Sequence, residues 1–157
     1  MAAEKGLKVC DLGNEVLGQI FKFLDENEIS GLCPYLEHMI WKKGEILMND
    51  GEAGDFMGFL LAGKLAVKKE TSFPGRFTLV AILDKGAMVG EISAVDRGLR
   101  TATVAAMEDS ELLILSCDSL DRLLHENSLL GIKILKRIIH VLSLRQRRSY
   151  DRLSAIL

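Results

Sequence analysis

Between Trp41 and Cys117 the chain is cut into short apolar runs by glycine, at Lys43-Gly44, Asp50-Gly51, Ala53-Gly54, Ala62-Gly63, Pro74-Gly75 and Lys85-Gly86. Turn signals spaced roughly 8 to 12 residues apart leave room for strands and for almost no helix, which confines this region to a β sandwich or barrel. The runs are Glu45 to Met48, Phe56 to Ala62, Lys64 to Lys69, Phe77 to Leu83, Thr101 to Ala106 and Glu111 to Ser116. Leu65 and Val67 alternate with Lys64 and Lys68, as a strand with one inner and one outer face requires. About eight short strands with few helices among them predict an antiparallel double-sheet jelly roll, or β-roll, rather than a doubly wound sheet, which needs a helix between successive strands.

Helical periodicity flanks this region. Leu12, Val16, Leu17, Ile20, Phe21 and Leu24 recur at three- and four-residue intervals, the stripe of an amphipathic helix, and a second short helix over Glu28 to Cys33 is expected to end at Pro34. From Asp118 helix returns, capped by Ser116 or Asp118, with a break near Asn127. A long final helix from Ser128 to about Leu157 carries Leu129, Ile132, Leu135, Ile138, Ile139, Leu142, Tyr150, Leu153 and Ile156 on its period. The expected class is therefore α+β. Helices over residues 1–40, a β-roll over 41–117 and helices over 118–157 make one domain spanning 1–157. With 157 residues and 48% hydrophobic content the chain suffices for one core.

A net charge of -2 gives no overall attraction to nucleic acid or membrane, although residues 133–157 carry seven Lys or Arg against Asp151 alone. That basic tail reads first as a solvated helix end favoured by the helix dipole, and second as a docking surface. Cys10, Cys33 and Cys117 are odd in number and widely spaced, so reduced, mostly buried thiols are expected. The N-terminus lacks a signal-peptide pattern and no apolar stretch approaches a membrane span, which fits the cytoplasm. His38, His125 and His140 do not cluster on strands, so a metal-dependent jelly-roll enzyme is not expected, and no nucleophile setting is recognisable.

The β pattern is broken at residues 86–104, which read Gly-Ala-Met-Val-Gly-Glu-Ile-Ser-Ala-Val-Asp-Arg-Gly-Leu-Arg-Thr-Ala-Thr-Val. Gly90 permits close backbone approach, and Glu91 to Val95 can form one helical turn whose free N–H groups face an anion. Arg100 offers a planar fork for two phosphate oxygens, with the Thr101 hydroxyl beside it. Glu91 fits such a site if the ligand also carries a sugar hydroxyl for a carboxylate to accept. An ion pair between Glu91 and Arg100 is the alternative reading.

Gly90-Glu91-Ile92 followed by Arg100-Thr101-Ala102-Thr103 resembles the phosphate-binding cassette of the cyclic nucleotide-binding domain family. Lys43-Gly44-Glu45-Ile46, Asp50-Gly51-Glu52-Ala53-Gly54-Asp55-Phe56-Met57 and Leu61-Ala62-Gly63-Lys64-Leu65 resemble that family's strand turns in the expected order, so the likeness covers roughly residues 20–145. The resemblance implies that Arg100 binds the equatorial phosphate oxygens, that Glu91 binds the ribose 2′-OH, and that Gly90, Ile92, Ser93 and Ala102 contribute backbone N–H groups. Thr101 stands where cGMP-dependent kinases have threonine, which tilts the ligand toward cGMP without excluding cAMP. Val89 and Ser93 depart mildly from the residues most frequent in the family.

By the same resemblance the purine rests on apolar barrel residues, with Val80, Ile82 and Val89 as candidates. The final helix covers it, with Arg137, His140, Val141 and Arg145 as candidate lid residues. The implied function is that of a stand-alone receptor for cAMP or cGMP with no catalytic step, its last helix transmitting occupancy to a protein effector. The alternative is a scaffold that has lost its ligand. A homodimer through Leu135, Ile139, Leu142, Leu153 and Ile156, interrupted by Gln146 and Ser149, is a further expectation. Direct DNA binding is not expected of a chain ending at Leu157, because the helix-turn-helix of related bacterial regulators would follow that point.

Overall fold

In the computed structural model, which describes residues 3–157, two antiparallel sheets form the roll. The strands are β1 (Glu4–Lys5), β2 (Glu37–Trp41), β3 (Ile46–Met48), β4 (Phe56–Ala62), β5 (Leu65–Glu70), β6 (Phe77–Leu83), β7 (Met88–Val89), β8 (Thr103–Ala106) and β9 (Ser110–Ser116). One sheet runs β1-β2-β9-β4-β7 and the other β3-β8-β5-β6. The helices are α1 (Asn14–Ile20), α2 (Glu26–Leu32), α3 (Glu91–Asp96), α4 (Cys117–Glu126) and α5 (Ser128–Ile156), so the α+β β-roll class is the one found.

The sheet begins earlier than glycine spacing indicates. Strand β2 takes residues expected to be helical, and β1 pairs with it through Glu4 opposite Ile40. The periodicity is hidden because an inward position of β2 is polar. His38 is buried, accepts a hydrogen bond at Nδ1 from the Leu7 N–H at 2.9 Å and meets Glu111 Oε2 through Nε2 at 2.8 Å. The N-terminal stripe is also divided. Gly13, at φ +86°, separates a 3-10 turn over Val9–Leu12 from α1, while Leu17, Ile20, Phe21 and Leu24 are buried as the stripe requires.

Helix α2 starts two residues before its expected position because Asp25 and Glu28 form a reciprocal capping box, at 2.8 and 3.0 Å. It ends at Leu32, one residue before the expected bound and ahead of Pro34. Pro34 sits in the first turn of a 3-10 helix over Cys33–Tyr35, where its missing N–H costs nothing. Helix α4 is capped by Ser116, whose hydroxyl accepts from the Ser119 N–H at 3.0 Å. Asn127 breaks the chain between α4 and α5 and caps α5 through the Leu130 N–H.

Two apolar clusters hold these layers together. Inside the roll, Trp41, Met48, Leu60, Leu65, Val89, Val104, Ala106 and Leu112 fill the space between the sheets. Outside it, the five-stranded sheet packs through Phe59, Leu113 and Leu115 on Leu17 and Phe21 of the N-terminal segment, Leu32 of α2, Leu120 and Leu123 of α4, and Ile134 and Ile138 of α5. Cys33 and Cys117 are buried and Cys10 is exposed. Among the described residues no helix is long and apolar enough to cross a membrane.

Candidate functional site

The segment expected to bind an anion is held by main-chain bonds to a distant turn. Gly51 N–H donates to Arg100 O at 2.9 Å, Arg100 N–H to Glu52 O at 2.7 Å and Gly54 N–H to Gly98 O at 3.3 Å. This ladder fixes the direction in which Arg100 leaves the backbone. Gly54 is required there by contact: a Cβ would lie 2.4 Å from Ser93 Cβ and 2.9 Å from Arg100 Nε. Gly90, at φ +73°, caps α3, and a Cβ on it would fall 2.7 Å from Arg100 Nη1. Cys117 Sγ lies beneath, facing the carbonyl oxygens of Gly54 and Ser93 at 3.9 and 3.8 Å. Burial pushes its thiol pKa up.

Arg100 is only 6% exposed. Its guanidinium lies 4.7 Å from the centre of the Phe56 ring and donates to Gly90 O at 3.3 Å. Among the described residues no carboxylate comes within ion-pair distance of it. Burial lowers its pKa from the ordinary value, partly countered by the charges of Asp55, Cys117 and Glu91. A guanidinium remains ionised even so. The site therefore holds a desolvated cation lacking an acid, which an entering anion would complete.

The Glu91–Arg100 ion pair is not formed. Glu91, only 3% exposed, is held instead by Arg145 of α5, whose guanidinium binds the Glu91 carboxylate and also donates to Met88 O at 2.6 Å. Arg97, at φ +54°, ends α3 and anchors it to α4 through Asp121 at 2.6 Å and Asp118 at 3.2 Å.

A cavity of about 480 Å³ opens beside Arg100. Gly90, Glu91, Ile92, Ser93, Arg100, Thr101 and Ala102 line it, and so do the three wall candidates Val80, Ile82 and Val89. The lid candidates divide. Arg145 lines the cavity, whereas Arg137, His140 and Val141 do not. Arg137 stacks 5.5 Å from the Phe23 ring, His140 is exposed, and Val141 packs on the outer core. Leu142, Gln146, Arg148, Ser149 and Arg152 take their place. The missed signal is periodic: 142, 145, 146, 149 and 152 fall on one helical face, one turn beyond the chosen residues.

The fold is shared with known proteins. The family model described as the cyclic nucleotide-binding domain matches residues 38–127. The structure of a cyclic nucleotide-binding domain from Methylobacillus flagellatus superposes with a TM-score of 0.80 at 30% identity, covering 91% of this chain and 81% of that one. The cyclic AMP receptor protein of Thermus thermophilus is 29% identical over 96 residues, which are 61% of this chain and 44% of that protein. The human cGMP-dependent protein kinase 2 is 27% identical over 103 residues, 66% of this chain and 13% of the kinase. The chain thus spans less than half the length of those two relatives. A β-roll whose cavity is closed on one side by the last helix is the regulatory fold of cyclic nucleotide-binding domains, and this chain belongs to the cyclic nucleotide-binding domain family.

Proposed function

We propose that the chain is a receptor for cAMP or cGMP that binds without turnover and reports occupancy through α5. The buried Arg100 guanidinium, open to the cavity and with no carboxylate at ion-pair distance among the described residues, carries this reading. Arg100 holds the cyclic phosphate together with the N–H groups of Gly90, Ile92, Ser93 and Ala102. Val80, Ile82 and Val89 support the base, and Thr101 stands beside the phosphate. Glu91 accepts the ribose 2′-OH on a carboxylate that Arg145 already shares. Sugar, Glu91 and α5 then form one connected chain of polar contacts. Occupancy shifts the posture of α5 to the extent that the nucleotide prefers one posture over the other.

Relatives named for cAMP and for cGMP support the ligand class. Calorimetry of nucleotide-stripped protein tests it, with saturable heat expected for at least one of the two nucleotides and the nucleotide recovered unchanged. Silence with both at millimolar concentration would leave a ligand-free scaffold. Gly54→Ala, which drives a methyl into Ser93 and Arg100, is expected to keep the circular dichroism of the parent while weakening binding about tenfold. Full affinity in that variant would contradict the geometry assigned to Arg100.

A homodimer and a protein effector belong to the same proposal. Ile139, Leu153 and Ile156 are exposed on α5 and available to a partner, whereas Leu135 and Leu142 pack on this chain's own core.

A further inference from the structure

A second cavity, of about 450 Å³, shares no lining residue with the one that contains Arg100. It forms where three segments meet: the end of α1 with Lys22 and Phe23 just after it, the turn between β6 and β7 at Lys85 and Gly86, and α5 at Arg137. Each segment contributes one cation, and no acid is among the lining residues. Among the described residues Lys22, Lys85 and Arg137 have no carboxylate at ion-pair distance, whereas Lys42, Lys64, Lys69, Arg97, Arg122 and Lys133 all do. In a chain of net charge -2 this is a local excess of positive charge against the average. Like charges gathered in a recess repel one another and focus a positive potential there, which an anion relieves.

The walls of the recess are fixed by contacts of their own. Lys85 Nζ donates to Gln19 Oε1, and Gly86 N–H donates to Leu60 O of β4 at 2.8 Å. Arg137 directly precedes the fully buried Ile138. An anion entering here therefore orders little of the chain.

The lining also restricts what the anion can carry. Phe23 is its one aromatic residue, and that ring is already engaged: Arg137 stacks on it at 5.5 Å and Phe21 meets it edge to face, with ring centres 6.3 Å apart. A nucleobase would find no free ring to stack on. A phosphate chain needs only cations and amide donors. Stacking leaves the edge N–H groups of the Arg137 guanidinium free to take two phosphate oxygens, while the two lysines act as point charges.

From this arrangement we infer that the recess binds a free diphosphate or triphosphate anion without need of a base, and that the bound anion ties α5 to α1 and to the β6–β7 turn. That turn leads directly into Met88 and Val89, which line the nucleotide cavity. Arg137, which takes no part in covering the nucleotide cavity, thereby gains a role.

The test is calorimetry with tripolyphosphate and with ATP at about 0.15 M salt in buffer free of divalent metal, on the parent chain and on Arg100→Ala, which lacks the cation of the nucleotide cavity. Saturable one-to-one binding of tripolyphosphate is expected in both, with ATP no tighter. In Lys22→Gln/Lys85→Gln the affinity is expected to fall about tenfold or more, and in the charge-matched Lys43→Gln/Lys68→Gln, at residues lining neither cavity, to change by about twofold or less. An equal loss in the two double variants overturns the inference, by showing attraction to net charge alone. Binding seen in the parent and lost in Arg100→Ala also overturns it, because the anion then sits in the nucleotide cavity. Absence of saturable binding in both chains overturns it outright, and ATP bound much more tightly than tripolyphosphate overturns the assignment to an anion without a base.

Discussion

Arg100→Ala is expected to weaken cAMP or cGMP binding by about 30-fold or more, equivalent to about 2 to 5 kcal/mol. The variant removes the buried cation and leaves the phosphate desolvated without its partner. Its second readout is thermal. Nucleotide at about 100 times Kd stabilises a binding-competent protein by about 2.7 kcal/mol, which raises Tm by roughly 5 to 10 °C for a domain of this size. The parent is expected to show that rise and the variant to show little at the same concentration. Without nucleotide the two should melt within a few degrees of each other. Loss of the stem and its contact with Phe56 is offset by removal of a buried charge lacking an acid. Unchanged affinity would remove Arg100 from the binding site. Collapse of the ligand-free fold would assign it to structure instead.

The second large effect concerns the seat of α5. Ile134 is fully buried, in the same cluster as Leu17, Leu32, Leu113 and Leu123. Ile134→Ala is expected to cost about 2 to 5 kcal/mol through lost burial and the cavity left behind, lowering Tm by roughly 5 to 15 °C. Leu153→Ala on the same helix, at a residue 56% exposed, should stay within about 0.5 kcal/mol of the parent. Chemical denaturation of the two variants checks the contrast. Equal stabilities would mean that the start of α5 is not anchored in the core.

The strands were readable where glycine marks their ends. Phe56 to Ala62 and Phe77 to Leu83 have the bounds expected, and α3 extends the anticipated turn by one residue. Strands β1 and β2 were not readable, because the buried His38 of β2 satisfies its polar atoms through partners 31 and 73 residues away. Local patterns carry no trace of such partners. The cassette was legible for the opposite reason: Gly90 to Ser93 and Arg100 to Ala102 lie in one short stretch of sequence and line one cavity. Helix α5 falls between these cases. Its period shows which residues share a face, but not how far along the axis the cavity lies, so Arg145 was found while Arg148 and Arg152 were missed. The pairing of Glu91 with Arg145 rather than Arg100 spans 54 residues and depends on that same offset.

The 29-residue length of α5, anchored near its start and broken from α4 at Asn127, makes it a lever with a short inner arm. At a rise of about 1.5 Å per residue its tip lies about 40 Å from the pivot, so a tilt of about 10° would sweep that tip through about 7 Å. Arg145 grips this arm little more than halfway along. A small displacement at Arg145 would reach the far end of α5 about 1.6 times as large.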